Sequence, residues 1–143
     1  MTNFMTRMTI AAATLVVAAG SASAQYLKAE IPFAFRASGV VMEAGTYQVK
    51  TETGNTGIPM FHIRSAAGGR SVLLIGAAPR DPQKEWAAAG QPVLSFECGI
   101  GRCALAEVWT GSGRSSYAVP RPKLGRDEPV HTAVVVMRPS KGD

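Results

Sequence analysis

Histidine and cysteine are scarce, two of each among 143 residues, and that scarcity removes much of the chemistry open to a small protein. His62 and His131 both fall on alternating, strand-like stretches whose geometry packing would set. A Ser-His-Asp arrangement needs a base and an orienting acid beside one serine, yet Asp81 and Asp127 lie in turn-like segments far along the chain from either histidine. There is no Gly-x-Ser-x-Gly elbow, no Gly-Lys-Ser or Gly-Lys-Thr phosphate loop and no His-Glu-x-x-His pair. Both histidines with Glu107 would make the one metal arrangement worth naming. No metal, cofactor or catalytic residue is expected, and the chain is expected not to be an enzyme.

Charge and apolar runs are also thin. Fifteen basic against ten acidic residues give a formal net charge of +5, and the basic residues are scattered with no run of aromatics among them, so nucleic-acid binding is not expected. Adhesion to an anionic envelope surface is compatible with that bias, although an ordinary solvated face explains it more simply. Beyond the N-terminus no stretch approaches the ~20 consecutive apolar residues of a membrane-spanning helix.

What is present begins with residues 1–24: a basic start at Arg7, an apolar run over 10–19 and Ala22-Ser23-Ala24 as a cleavage site. This is the pattern of a secretory signal peptide, with Gln25 as the first mature residue. Residues 25–138 are then expected to form one domain and 139–143 a flexible tail. Export to the periplasm or beyond agrees with the cysteine pair, because disulfides persist in oxidising compartments.

Residues 91–110, QPVLSFECGIGRCALAEVWT, carry the sharpest structural signal. Apolar runs flank a Gly-Ile-Gly-Arg turn with Cys98 and Cys103 placed symmetrically about it, as in a β-hairpin. A two-residue turn at Ile100 and Gly101 makes Cys98 face Cys103 in a non-hydrogen-bonded pair, with Cα atoms about 4.5 Å apart, close enough for a disulfide. A redox pair or metal site fits less well, since the spacing is not Cys-x-x-Cys. In that register Phe96 faces Leu105, Leu94 faces Glu107 and Pro92 faces Trp109. Glu107 on an apolar face reads as a buried acid and catalytic candidate. The favoured reading is a structural Glu, paired or turned to solvent by a one-residue bulge.

The rest of the chain alternates in the same way. Leu27, Ala29, Ile31, Phe33 and Phe35 share one face of a strand in which Pro32 marks an edge or bulge. Turns at Ser38-Gly39, 43–45 and 54–57 separate short strands, with Tyr47 and Val49 on one face. A hairpin follows over 58–77, its Val72-Leu73-Leu74-Ile75 run expected to be covered on both faces. Residues 82–89 suit a short helix with Asp81 as cap, Pro82 at its start and Gly90 at its end. Trp86 there is a ligand-stacking aromatic or, as favoured, a plug closing one end of the core. Tyr117 to Val119 is a short strand, 120–129 an exposed connection with Pro120, Pro122 and Pro129, and 130–138 the last strand. The fold class expected is all-β: a small antiparallel β-sandwich or barrel-like domain of about seven to nine short strands with at most one helix.

The order Ile31-Pro32-Phe33-Ala34-Phe35, Ala44-Gly45-Thr46-Tyr47, Ile63-Arg64-Ser65, Leu94-Ser95-Phe96 and Glu107-Val108-Trp109 resembles an uncharacterised group of small exported β-proteins from soil bacteria, notably acidobacteria. The resemblance covers about Ala29 to Trp109 and implies a compact exported β-domain without an assigned activity. Cys98, Cys103 and residues 79–90 depart from the group's pattern.

Three functions fit. The favoured one is a binding or structural module whose loops and open sheet edge take an envelope protein, glycan or surface. The second is a barrel carrying an apolar ligand against Phe33, Phe35, Tyr47, Phe61 and Trp109. The third is a hydrolase or isomerase using Glu107 with a histidine.

Overall fold

The computed structural model describes residues 26–121 and 128–140. The expected signal peptide, residues 122–127 of the Pro-rich connection and residues 141–143 lie outside them.

Two sheets pack face to face. The chain forms β1 (Tyr26–Ile31), β2 (Phe35–Ala37), β3 (Val40–Met42), β4 (Gly45–Thr53), β5 (Pro59–Ser65), β6 (Ser71–Ile75), β7 (Pro79–Arg80), α1 (Lys84–Ala89), β8 (Val93–Gly99), β9 (Arg102–Trp109), β10 (Ser116–Ala118), β11 (His131–Val136) and β12 (Arg138–Ser140). The first sheet runs β12-β1-β4-β5-β6. The second runs β11-β8-β9-β10-β7, with β2 parallel to β9 at Arg36 and Ala104 and β3 hairpinned onto β2. The all-β sandwich expected from the sequence is present, and no closed barrel forms among the described residues.

Twelve strands exceed the expected number because three stretches change sheet midway. Pro32 is where the first happens: β1 lies in the first sheet and β2 in the second, so one ten-residue alternation is split between them. A proline cannot donate to a ladder, which makes it a place for a strand to leave one sheet for another. Similarly, β6 gives way to β7 after Ala77, whose N–H donates to the Ala118 carbonyl (2.8 Å). The expected single strand over 130–138 breaks at buried Met137 into β11 and β12. Pro139 and Ser140, expected in a tail, pair with Leu27 and Tyr26.

The alternating residues meet in one core. Ala29, Ile31, Tyr47, Val49, Phe61 and Ile63 of the first sheet pack against Phe35, Leu94, Phe96, Leu105, Val108 and Val135 of the second. Phe35 bridges the layers edge-on to Tyr47 and to Phe96, at 5.3 Å between ring centres in each case, a favourable geometry for aromatic quadrupoles. Ser38 (φ 50°) and Gly39 (φ 77°) make the two-residue turn between β2 and β3, both left-handed as a hairpin twist demands.

Helix α1 is shorter than expected. It starts after Gln83, without a side-chain cap from Asp81, and stops where Gly90 turns left-handed (φ 72°) and donates its N–H to the Trp86 carbonyl. Trp86, 5 % exposed, packs with Val93 and Trp109 in a second cluster apart from the main core. It covers the outer face of the second sheet, not one end of the core as the plug reading held.

Candidate functional site

The stapled hairpin forms as the spacing indicates. Cys98 and Cys103 are bonded with Cα atoms 4.0 Å apart, opposite each other, and Gly99 pairs with Arg102. Beyond Phe96 and Leu105 the register slips: Ser95 faces Glu107, Leu94 faces Val108 and Val93 faces Trp109. Ala106 is the extra residue of this β-bulge. The bulge reverses which face Glu107 and Trp109 occupy. The expected pairs Leu94 with Glu107 and Pro92 with Trp109 are therefore absent, and Trp109 joins Trp86 on the outside instead of lining the interior.

Glu107 is half-buried on that outer face, where its Oε1 accepts from the hydroxyl of fully buried Ser116 at 2.5 Å. His62 lies on the outer face of the other sheet, opposite Lys50 and Leu73. His131 is exposed beside Cys98. The structure thus separates Glu107 from His62 by the thickness of the sandwich, and no hydrogen bond or ion pair joins Glu107 to His131. Among the described residues no group of three or more His, Cys, Asp or Glu is placed to hold a metal ion. Asp81 is exposed, and Asp127 lies outside the described residues. Phe33, Phe35, Tyr47 and Phe61 each pack against another aromatic ring, and of the four Tyr47 also lines an open cleft beside Glu43 and Arg70.

The surface the sequence did not disclose is on the first sheet. Leu73 and Ile75 of β6 are 52 % and 58 % exposed; the expectation that both faces of this strand are covered fails. β6 is an edge strand, and among the described residues its outer side chains stay open to solvent. Its hydrogen bonding can be followed residue by residue. The Gly76 N–H donates to the Pro59 carbonyl (3.0 Å), and the Ser65 N–H to the Arg70 carbonyl (3.1 Å). Antiparallel pairs alternate between bonded and non-bonded, so Val72 and Leu74 turn their backbone groups to β5. Ser71, Leu73 and Ile75 turn theirs outward. Neither charge, proline nor bulge, the usual protections of an edge, occurs between Ser71 and Ile75.

The face beside that edge is ordered by cross-strand register. Arg138, Lys28, Gln48 and Arg64 stand opposite one another in one row, and Tyr26, Lys50, His62 and Leu73 in the next. The Lys50 ammonium is 2.8 Å from Glu52 and 5.9 Å above the Tyr26 ring. The hydrogen bond and charge of Glu52 raise the Lys50 pKa, and those of Lys50 lower that of Glu52. At the end of the sandwich the Tyr47 hydroxyl donates to the Glu43 carbonyl. Burial, and then the Glu43 charge, raise its pKa above the ordinary tyrosine value.

No family model matches the chain, and no curated protein or solved structure matches it.

Proposed function

We propose that this chain is an exported, non-enzymatic binding module that takes up an extended segment of a partner protein as an added strand along β6. The observation that carries the reading is the open edge itself: Ser71, Leu73 and Ile75 present backbone donors and acceptors, flanked by exposed Leu73 and Ile75 side chains. In strand addition the main chain supplies affinity and pockets for alternate side chains supply selectivity. The partner strand would place apolar residues opposite Leu73 and Ile75 and carry little charge. Export is supported by the 1–24 pattern and by the Cys98–Cys103 disulfide.

The test uses cells exporting the full chain with a photo-reactive amino acid in place of Ile75. A discrete crosslinked species is expected there and not when the same group replaces exposed Ala87 on α1. Equal crosslinking at both positions, or none at Ile75, would remove the strand-addition reading. N-terminal sequencing of the recovered chain should begin at Gln25, and an unprocessed start would remove the export reading.

A further inference from the structure

The two outer faces of the sandwich differ. That of the second sheet is partly covered by α1 through Trp86, Val93 and Trp109. Among the described residues nothing lies over the first sheet, and its side chains combine two features that a solvated face does not require. One is electrostatic: Arg138 and Lys28 stand directly opposite each other, both exposed, and like charges so placed repel. No ion pair relieves either of them, or Arg64 in the same row, among the described residues. Strands lie about 4.8 Å apart, so the row from Arg138 to Arg64 spans roughly 14 Å. The other feature is apolar: Leu73 and Ile75 project from the β6 end of the same face, with half-buried Met60 opposite Ile75.

We propose that this face docks on an anionic lipid bilayer, with Lys28, Arg64 and Arg138 against the headgroups and Leu73 and Ile75 in the boundary beneath them. The inference goes beyond strand addition and does not depend on it. Each Lys or Arg near an anionic membrane tightens binding about fivefold, and buried apolar area adds to that attraction. Glu52 is already engaged by Lys50, which leaves Glu30 as the opposing charge on the face. A soluble polyanion would use the cations and leave Leu73 and Ile75 unexplained. A second copy of the chain would cover the aliphatics but bring like charges together.

The exported chain, disulfide intact, is sedimented with phosphatidylcholine vesicles and with vesicles also containing phosphatidylglycerol. Binding to the anionic vesicles at least about tenfold tighter is expected, with release by high salt. Lys28→Glu with Arg138→Glu should abolish it, and Leu73→Ser with Ile75→Ser should weaken it severalfold. All four side chains are exposed, and circular dichroism checks that the variants keep the fold. Equal binding to both vesicle types, or none, overturns the proposal. So does binding of dextran sulfate, unaffected by the aliphatic substitutions, in place of vesicles, or a concentration-dependent dimer that those substitutions abolish. A dimer through these side chains would itself crosslink at Ile75 and show twice the chain mass, whereas the vesicle outcomes leave a crosslink to a different protein at Ile75 unchanged, so the two readings fail separately.

Discussion

Glu107 shows how far one side chain can move when the backbone gains a residue. Its carboxylate accepts the only hydroxyl proton that Ser116, fully buried, can donate, and the 2.5 Å separation is that of a charge-assisted bond. Glu107→Gln keeps an acceptor at that place and should lower stability by about 1 kcal/mol. Glu107→Ala leaves the hydroxyl buried without a partner and should cost about 2 kcal/mol, both read by urea unfolding. A larger loss in the Gln variant would mean that the charge itself is needed. Tyr47 adds a pH dependence at the alkaline end. Burial holds its folded pKa above the ordinary tyrosine value, so the folded chain holds the phenolic proton more tightly than the unfolded chain does. Its contribution is complete below about pH 10 and is lost as the pH rises through the folded value. Melting temperature should fall at high pH by an amount that Tyr47→Phe reduces. The alternation that placed Tyr47 inside was legible in the sequence. The side of the sheet taken by Glu107 was not, because Ala106 looks like any other strand residue and the bulge depends on how β8 and β9 twist together.

Among the elements, the β8–β9 hairpin and α1 make opposite cases. The hairpin was legible to the residue as far as Phe96 and Leu105, since a Gly-containing turn and two symmetric cysteines specify one register locally. Its tip is also tied from outside: the Ile100 N–H donates to Glu128 Oε1 at 2.8 Å, and a Cβ on Gly99 would come within 2.5 Å of the same oxygen. The disulfide closes only a short loop, so replacing Cys98 and Cys103 by Ala should destabilise the fold by about 2 kcal/mol without unfolding it. Loss of all near-ultraviolet signal in that variant would show that the hairpin depends on the bond. Helix α1 was legible as a helix, but nothing local says which surface Trp86 covers. That surface exists only because the bulge turns Trp109 outward. Trp86→Ala should therefore cost about 3 kcal/mol and shift Trp109 fluorescence to the red, whereas an end plug would leave Trp109 unchanged.

For the whole molecule, the question is where the sandwich stays open. Three strands bend from one sheet into the other, at Pro32, after Ala77 and at Met137, and these corners close much of the periphery. β6 retains a free edge. Its status was hidden in the sequence because Val72-Leu73-Leu74-Ile75 reads alike in a covered central strand and a bare edge strand; strand order, a long-range property, decides between them. Two proline substitutions separate the edge from the ladder. Leu73→Pro removes an N–H that points away from β5 and a side chain that is already half in water, so stability should change by about 1 kcal/mol or less. Val72→Pro removes a ladder donor and a core side chain and should cost about 3 kcal/mol or more. If Leu73→Pro destabilises as much as Val72→Pro, the outward assignment of Leu73 is wrong. If it folds as the parent does and removes the crosslink at Ile75, the open backbone of β6 is what the partner reads.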